Sequence, residues 1–145
     1  MREMGGGGDG GKNLKEVLLA PPLPRSLAPS LLLSLWLPVL AWAGFIFYLS
    51  SIPHLRFLKN DVLDFIVRKI GHMGVFGILA RLLARAFTGS TYWSWKKIFA
   101  TSLALTFLYA YMDEYHQAFV CGRIGSAKDV TIDTLGAWLA LGLMP

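Results

Sequence analysis

The chain has 145 residues, of which 54% are hydrophobic and 16% charged, and its mean hydropathy is +0.50. This composition excludes a soluble domain and predicts one integral membrane domain, since about 20 apolar residues cross the ~30 Å hydrocarbon core. The net charge of +5 does not indicate nucleic-acid binding, because the basic residues are scattered among predicted helix ends and loops. The lone Cys121 excludes an intramolecular disulfide and a cysteine-rich metal site within this chain.

Residues 1–29 are rich in glycine and proline, which predicts a flexible and extended N-terminal tail. The first long apolar run, residues 30–50, predicts the first membrane crossing. Because this run begins far from the amino terminus and lacks a convincing small-residue cleavage site, we expect it to be retained rather than removed as a signal peptide.

Apolar residues recur at helical spacing after the first crossing, at Leu55, Leu58, Val62 and Phe65. Charged residues occupy the positions between them, so the segment predicts a short amphipathic helix on the membrane surface. A solvated loop is the alternative interpretation.

Three more crossings follow along the chain. The predicted second crossing covers residues 65–87, the third covers 98–120, and the fourth starts near Ala127. The predicted fold is therefore all-α, an integral membrane four-helix bundle formed by residues 30–145.

The distribution of Lys and Arg predicts the orientation of this bundle. The tail and the loop after the second crossing, with its flanks, carry eight basic residues on one side, against six on the other side. Because positive residues favour the cytoplasmic side, we expect both termini in the cytoplasm and the remaining loops outside.

Most polar side chains at the predicted helix ends fall on one side of a four-helix serpentine. The set consists of Ser50, Ser51, His54, Lys69, His72, Asp113, Glu114, His116, Gln117, Arg123, Asp129 and Asp133. Helical spacing lets Asp113 and Gln117 share one helix face, and Asp129 and Asp133 another. These positions predict a shared extracytoplasmic pocket with His72 within hydrogen-bond reach of Glu114 or Asp113.

Small residues next to His72 predict a close helix contact. Gly71, Gly74 and Gly77 lie at spacings of three residues, and small residues let the backbones of membrane helices approach each other. We expect another helix to pack on this surface.

Four sequence blocks resemble those of a known family. They are Ser50-Ser51-Ile52-Pro53; Lys69-x-x-His72-x-x-x-Phe76-x-x-Leu79-Ala80; Asp113-Glu114-x-x-Gln117-x-Phe119-Val120-x-Gly122-Arg123; and Ser126-x-x-Asp129-Val130-x-x-Asp133-Thr134-x-Gly136. In this order, over residues 31–143, they resemble the VanZ-like family. The resemblance implies a small bacterial four-helix protein of the cytoplasmic membrane. The family is named for an accessory determinant of resistance to teicoplanin, a lipid-tailed glycopeptide antibiotic.

Three positions depart from the family pattern. Asp133 stands where asparagine is common, Cys121 where proline is common, and Arg68 where an acidic residue often precedes the lysine. The additional carboxylate of Asp133 makes this predicted pocket more acidic than that of a typical member.

The polar residues support three hypotheses of function. In the first, Lys69, His72 and Arg123 only neutralise the carboxylates and clamp the bundle. In the second, which we favour, the pocket recognises an anionic envelope lipid, a cell-wall lipid precursor or a lipid-tailed glycopeptide. Its predicted ligand-binding residues are Lys69, His72, Asp113, Glu114, Gln117, Arg123, Asp129 and Asp133.

The third hypothesis is an intramembrane acid/base enzyme acting on an envelope lipid. Glu114, His72 and Asp113 are its catalytic candidates, because burial and neighbouring charges can poise such groups near neutral pH. A metal held by His72, Glu114 and Asp133 is disfavoured, since no His-x-x-x-His spacing or similar ligand pattern occurs. The sequence therefore predicts no metal and no cofactor.

Overall fold

The computed structural model describes residues 29–53, 59–123 and 125–144. These residues form four α-helices and no strand: α1 is Pro29–Ser50, α2 is Asp61–Ser90, α3 is Trp95–Gln117 and α4 is Ala127–Gly142. The prediction of an all-α fold with four helices is confirmed. The predicted tail, apart from Pro29, lies outside the described residues.

Helix α2 begins earlier than predicted, at a residue that follows a capping side chain. The Oδ1 atom of Asn60 accepts hydrogen bonds from the main-chain nitrogens of Val62 and Leu63, at 3.0 and 3.1 Å, and so starts α2 four residues before the predicted Phe65. Val62 and Phe65 are therefore residues of α2, which corrects the prediction of a separate surface helix at these two positions. Leu55 and Leu58 lie outside the described residues.

Helix α2 is the centre of the bundle, because it packs against each of the other three helices, and most extensively against α4. The closest approach is at Gly136, where an added Cβ would lie 2.7 Å from the Cα of Met73. Gly77 of α2 also faces α4, since an added Cβ there would lie 3.2 Å from the Cβ of Ala140. The expected small-residue contact is formed at Gly77 only, since Gly71 and Gly74 face open space.

Two polar side chains connect α1 to its neighbours. The indole nitrogen of Trp42 donates a hydrogen bond to the main-chain oxygen of Val75 in α2, at 2.8 Å. The hydroxyl of Tyr109 in α3 donates one to the main-chain oxygen of Ala43, at 2.6 Å. Both bonds lie in the half of α1 that leads to Ser50. They therefore help to position the end of α1 beside α2 and α3.

The interior is mainly apolar and includes Phe76 and Leu141, both 0% exposed, but it also contains polar side chains, and many large apolar side chains lie on the outer surface. Ser102, Thr106 and Asp133 are 0% exposed, whereas Leu40 is 67% exposed and Phe107 49%. By length and hydropathy, α1 is the one described helix that is suited to cross a membrane. The other predicted crossings do not meet both criteria, and α4, for example, has 16 residues.

Candidate functional site

The predicted polar residues meet where the end of α1, the first half of α2, the end of α3 and the start of α4 come together. The structure places all eight predicted ligand-binding residues at this end of the bundle, in three groups. The groups are a hydrogen-bond network between α1 and α3, an ion-paired cleft beside α1 and α2, and a buried cluster between α2, α3 and α4.

The network between α1 and α3 is centred on Asp113, which is 4% exposed. Its Oδ2 atom accepts hydrogen bonds from the hydroxyl of Ser50 and the side-chain amide of Gln117, both at 2.8 Å. Asp113 and Gln117 share one face of α3, as their i,i+4 spacing predicts. The sequence block that begins at Ser50 therefore contributes a buried hydroxyl to the site.

Arg123 joins the loop after α3 to the end of α1. Its Nε and Nη2 atoms donate to the main-chain oxygens of Ile52 and Leu49, both at 3.1 Å, and Nη1 donates to Oε1 of Gln117 at 3.0 Å. Gly122 precedes it with a positive φ of 76°, a conformation that glycine adopts without a steric penalty. Burial lowers the pKa of Arg123, and the negative charge of Asp113 opposes this effect.

Two ion pairs lie near the start of α2. The ammonium group of Lys69 pairs with the Oδ1 atom of Asp129, which joins α2 to α4. The Nε atom of Arg68 lies 2.9 Å from the Oδ2 atom of Asp64 one helical turn earlier. Asp64 is 2% exposed and was missed as a site residue, although its i,i+4 spacing to Arg68 was a usable signal.

The buried cluster consists of His72 in α2, Glu114 in α3 and Asp133 in α4. One possible metal-ligand atom of each residue lies within 4.8 Å of the corresponding atoms of the other two. The Nδ1 atom of His72 lies 3.4 Å from Oδ2 of Asp133. Among the described residues, Asp133 is therefore the hydrogen-bond partner of His72, and the predicted bond to Glu114 or Asp113 is not formed.

Glu114 is positioned by the loop that leads into α4. Its Oε2 atom accepts a hydrogen bond from the main-chain nitrogen of Ser126, at 2.8 Å. At Gly125, an added Cβ would collide with the main-chain oxygen of Glu114, so this loop lies directly on the end of α3. The glycine permits the approach that brings Ser126 to the carboxylate.

Three buried carboxylates in this region are only partly hydrogen-bonded. Among the described residues, Oδ1 of Asp113, Oε1 of Glu114 and Oδ1 of Asp133 have no hydrogen-bond partner. A buried polar atom without a partner loses its hydration without compensation, at about 1 to 3 kcal/mol, and more for a charged group. The arrangement can therefore accept a proton or a cation at each of these oxygens.

A cleft of about 750 Å³ adjoins the buried cluster through His72. Its lining contains five of the predicted ligand-binding residues: Lys69, His72, Gln117, Arg123 and Asp129. Asp113, Glu114 and Asp133 are not part of the lining. Residues of the lining that were not predicted as ligand-binding include Phe45, Ile46, Leu49, Ser50, Asp61, Asp64, Phe65, Val67, Arg68 and Val75.

The comparisons with known proteins agree with the resemblance of the four sequence blocks. A family model described as VanZ/LLP1 matches residues 34–145, which include all four helices except the first five residues of α1. No match was found among curated proteins or among solved structures. Because the family model covers well over half of the chain, this protein belongs to the VanZ-like family.

Proposed function

We propose that this protein spans the bacterial cytoplasmic membrane several times. We also propose that its cleft binds an envelope amphiphile, contacting the acyl chain and the phosphate or carboxylate group of that ligand. The observation that carries the binding proposal is one cleft in which cationic side chains and apolar walls occur together. Membership of the VanZ-like family supports the membrane location.

The distribution of apolar residues supports more than one membrane crossing. In α3, Phe107 and Leu108 are 49% and 51% exposed, and in α4 Leu135 and Trp138 are 48% and 51% exposed. Soluble monomers rarely expose large contiguous apolar surfaces. Lipid contact explains such surfaces on α3 and α4 as well as on α1, while the polar residues remain inside the bundle.

The orientation of the bundle can be tested by cysteine labelling. Cys121 is exposed in the loop after α3, and Ser90 is the last residue of α2. In a four-crossing topology these two positions lie on opposite sides of the membrane. If the termini are cytoplasmic, Cys121 is labelled from outside the cell, and Ser90→Cys in a Cys121→Ser background is labelled only from the cytoplasm. Labelling of both positions from one side would contradict the multi-pass topology, whereas exchanged sides would reverse only the orientation.

The dimensions and chemistry of the cleft suit an amphiphile. A volume of about 750 Å³ lies within the usual range of ligand pockets, roughly 300 to 1,000 Å³. Phe45 and Ile46 of α1 and Phe65 and Val75 of α2 are part of its lining and provide apolar walls. These walls suit an acyl chain, because burying each CH₂ group contributes about 0.8 kcal/mol.

The polar part of the cleft has mixed charge. Arg68, Lys69 and Arg123 contribute three cations to the lining, and Asp61, Asp64 and Asp129 contribute three carboxylates. Arg68 uses its Nε atom on Asp64, and its side chain is 45% exposed. Its remaining guanidinium N–H groups match the geometry of a phosphate or carboxylate, so Arg68 is the cation we assign to the head of the ligand.

Gly71 offers a direct test, because it lines the cleft and its Cβ position has open space around it. We expect Gly71→Leu to fill part of the cleft and to weaken the binding of phosphatidylglycerol by about tenfold or more. Binding is measured by native mass spectrometry of the purified protein in detergent. Gly74→Leu is the matched control, since it makes the same change in the same helix, also in open space, outside the lining.

The control and the choice of probe separate the possible results. Gly74→Leu should change binding less than about threefold, and phosphatidylcholine with the same acyl chains should bind the wild-type protein more weakly than phosphatidylglycerol. Equal loss in both glycine variants would contradict the cleft as the binding site. Binding of a lipid-tailed glycopeptide, measured in the same assay, would identify teicoplanin-type recognition, and lipid binding without it would restrict the proposal to envelope lipids.

A second candidate function of the polar network is to hold the helices together. The contacts of Arg123 favour this structural role. All three of its nitrogens donate to protein oxygens, two of them in the main chain. This residue therefore supports the clamp hypothesis, whereas the cleft supports binding.

A further inference from the structure

We propose that His72, Glu114 and Asp133 bind a divalent transition-metal ion, of the chemistry of Mn²⁺ or Zn²⁺. The three residues come from α2, α3 and α4, and one potential ligand atom of each lies within 4.8 Å of the other two. Donor atoms that share one ion lie at most about 4.4 Å apart, because its bonds to nitrogen and oxygen are about 2.0 to 2.2 Å long, so small side-chain rotations would bring the three atoms onto one ion. This inference differs from the sequence-based prediction of no metal, which stays untested.

The unsatisfied oxygens of the cluster are a second observation that points to a ligand. Asp133 is 0% exposed and Glu114 is 5% exposed, and each has one buried carboxylate oxygen without a hydrogen-bond partner in the part of the chain that the structure describes. A carboxylate binds a metal ion through a lone pair of such an oxygen. The other oxygen of each group is already engaged, by the main-chain nitrogen of Ser126 and by His72 respectively.

The charge balance of the cluster also favours a cation. Among the described residues, no lysine or arginine forms an ion pair with Glu114 or Asp133, and the ion-pair partner of Asp133 is His72. The nearby cations Arg68, Lys69 and Arg123 contact other groups, as described above. His72 can neutralise at most one of the two buried carboxylates, and the desolvation of the other is not repaid by a Coulombic attraction.

The donor set selects the class of metal. One imidazole and two carboxylates form a mixed nitrogen and oxygen set, whereas Ca²⁺ and Mg²⁺ are usually bound by oxygen alone. The Ser126 N–H group that binds Glu114 is the kind of outer contact that orients a ligating carboxylate. Mn²⁺ and Zn²⁺ are therefore the ions to test, and the site does not depend on whether the adjoining cleft binds a lipid.

Mn²⁺ is the first probe, because its binding is visible by electron paramagnetic resonance. The full-length protein is purified in detergent, stripped with a chelator and titrated with MnCl₂, and with ZnCl₂ in parallel calorimetry. We expect one site per chain, with a nitrogen coupling from His72 in the pulsed spectrum. We expect Asp133→Asn and Glu114→Gln each to weaken Mn²⁺ binding by about a hundredfold or more, since each removes a charged ligand but preserves its size.

Asp113→Asn is the matched control, because Asp113 is a buried carboxylate on α3 with an unsatisfied oxygen but lies outside the cluster. It should change Mn²⁺ affinity less than about tenfold. Helix content by circular dichroism confirms that each variant is folded. If both cluster variants fail to fold, the nitrogen coupling in the wild-type protein remains a test of His72.

Three results would overturn the metal site. The first is no binding of Mn²⁺ or Zn²⁺ by the folded wild-type protein at millimolar metal. The second is binding without a nitrogen coupling, and the third is an equal loss of affinity in Asp113→Asn and in the two cluster variants.

Discussion

The cleft and the buried cluster lie side by side, yet their charged groups are compensated in different ways. In the cleft, Lys69 pairs with Asp129 and Arg68 with Asp64, and the two cationic side chains are 24% and 45% exposed. In the cluster, Glu114 and Asp133 are at most 5% exposed, and each has an oxygen without a partner. The difference shows that the polar residues of the four sequence blocks, although they lie at one end of the bundle, do not form a single pocket.

The physical reason is the presence of basic partners. In the cleft, Asp64 and Asp129 each pair with a partly exposed arginine or lysine, so their charges are compensated although Asp64 is only 2% exposed. A buried carboxylate loses its hydration and requires a proton, a cation or a complete set of hydrogen bonds. We therefore assign different ligands to the two regions, an amphiphile to the cleft and a metal ion to the cluster.

Gly136→Ala should have the largest effect among the substitutions that distinguish the cluster from the cleft. The added Cβ would collide with the backbone of Met73, next to His72, so α4 must move away from α2. Overpacking of this kind lowers the free energy of unfolding by about 1 to 3 kcal/mol. We expect Mn²⁺ affinity to fall as well, because His72 and Asp133 lie on the two separated helices, whereas the apolar walls of the cleft come from α1 and α2.

Thermal unfolding in detergent, Mn²⁺ titration and lipid binding measure the three effects on one preparation. Gly142→Ala is the control in the same helix, because the Cβ position of Gly142 has open space around it. Its stability should remain unchanged or rise by up to about 1 kcal/mol. Wild-type Mn²⁺ affinity in a stable Gly136→Ala protein would show that the contact between α2 and α4 does not position the cluster.

A loss of stability in the same range is expected for Arg123→Ala, which tests whether Arg123 belongs to the ligand site or to the framework. The substitution leaves the main-chain oxygens of Leu49 and Ile52 without their side-chain donor, and stability should fall by about 1 to 3 kcal/mol. Arg123→Lys should recover part of the loss, since an ammonium group cannot reproduce all three contacts. Thermal unfolding and the amount of tagged protein in the membrane measure this change.

Arg81→Ala is the corresponding control, because Arg81 is exposed on α2. Its effect on stability should be within about 0.5 kcal/mol. Arg123→Ala protein of normal stability that no longer binds phosphatidylglycerol would instead place Arg123 in the ligand site. Normal binding at reduced stability would assign it to the framework.

Much of the site could be located from the sequence, because helical periodicity and helix order are local properties of the chain. The order of the helices placed His72, Glu114 and Asp133 at the same end of the bundle, and the structure places them there. The i,i+4 spacing of Asp113 and Gln117 predicted their common face, and their side chains are hydrogen-bonded. A search for ligand spacing examines one helix, so it could not identify the proximity of His72, Glu114 and Asp133, which come from three helices.

The sequence by itself determined that the fold is all-α, that most polar residues at the helix ends collect at one end of the bundle, and that the chain belongs to the VanZ-like family. These properties depend on composition, on periods of three and four residues, and on short motifs. Only the tertiary structure decided that His72 faces Asp133, that Arg123 donates to the end of α1, and that Gly136 rather than Gly71 or Gly74 forms the closest helix contact. Each of these results depends on how two helices are rotated and displaced against each other, which packing between residues far apart in the chain determines.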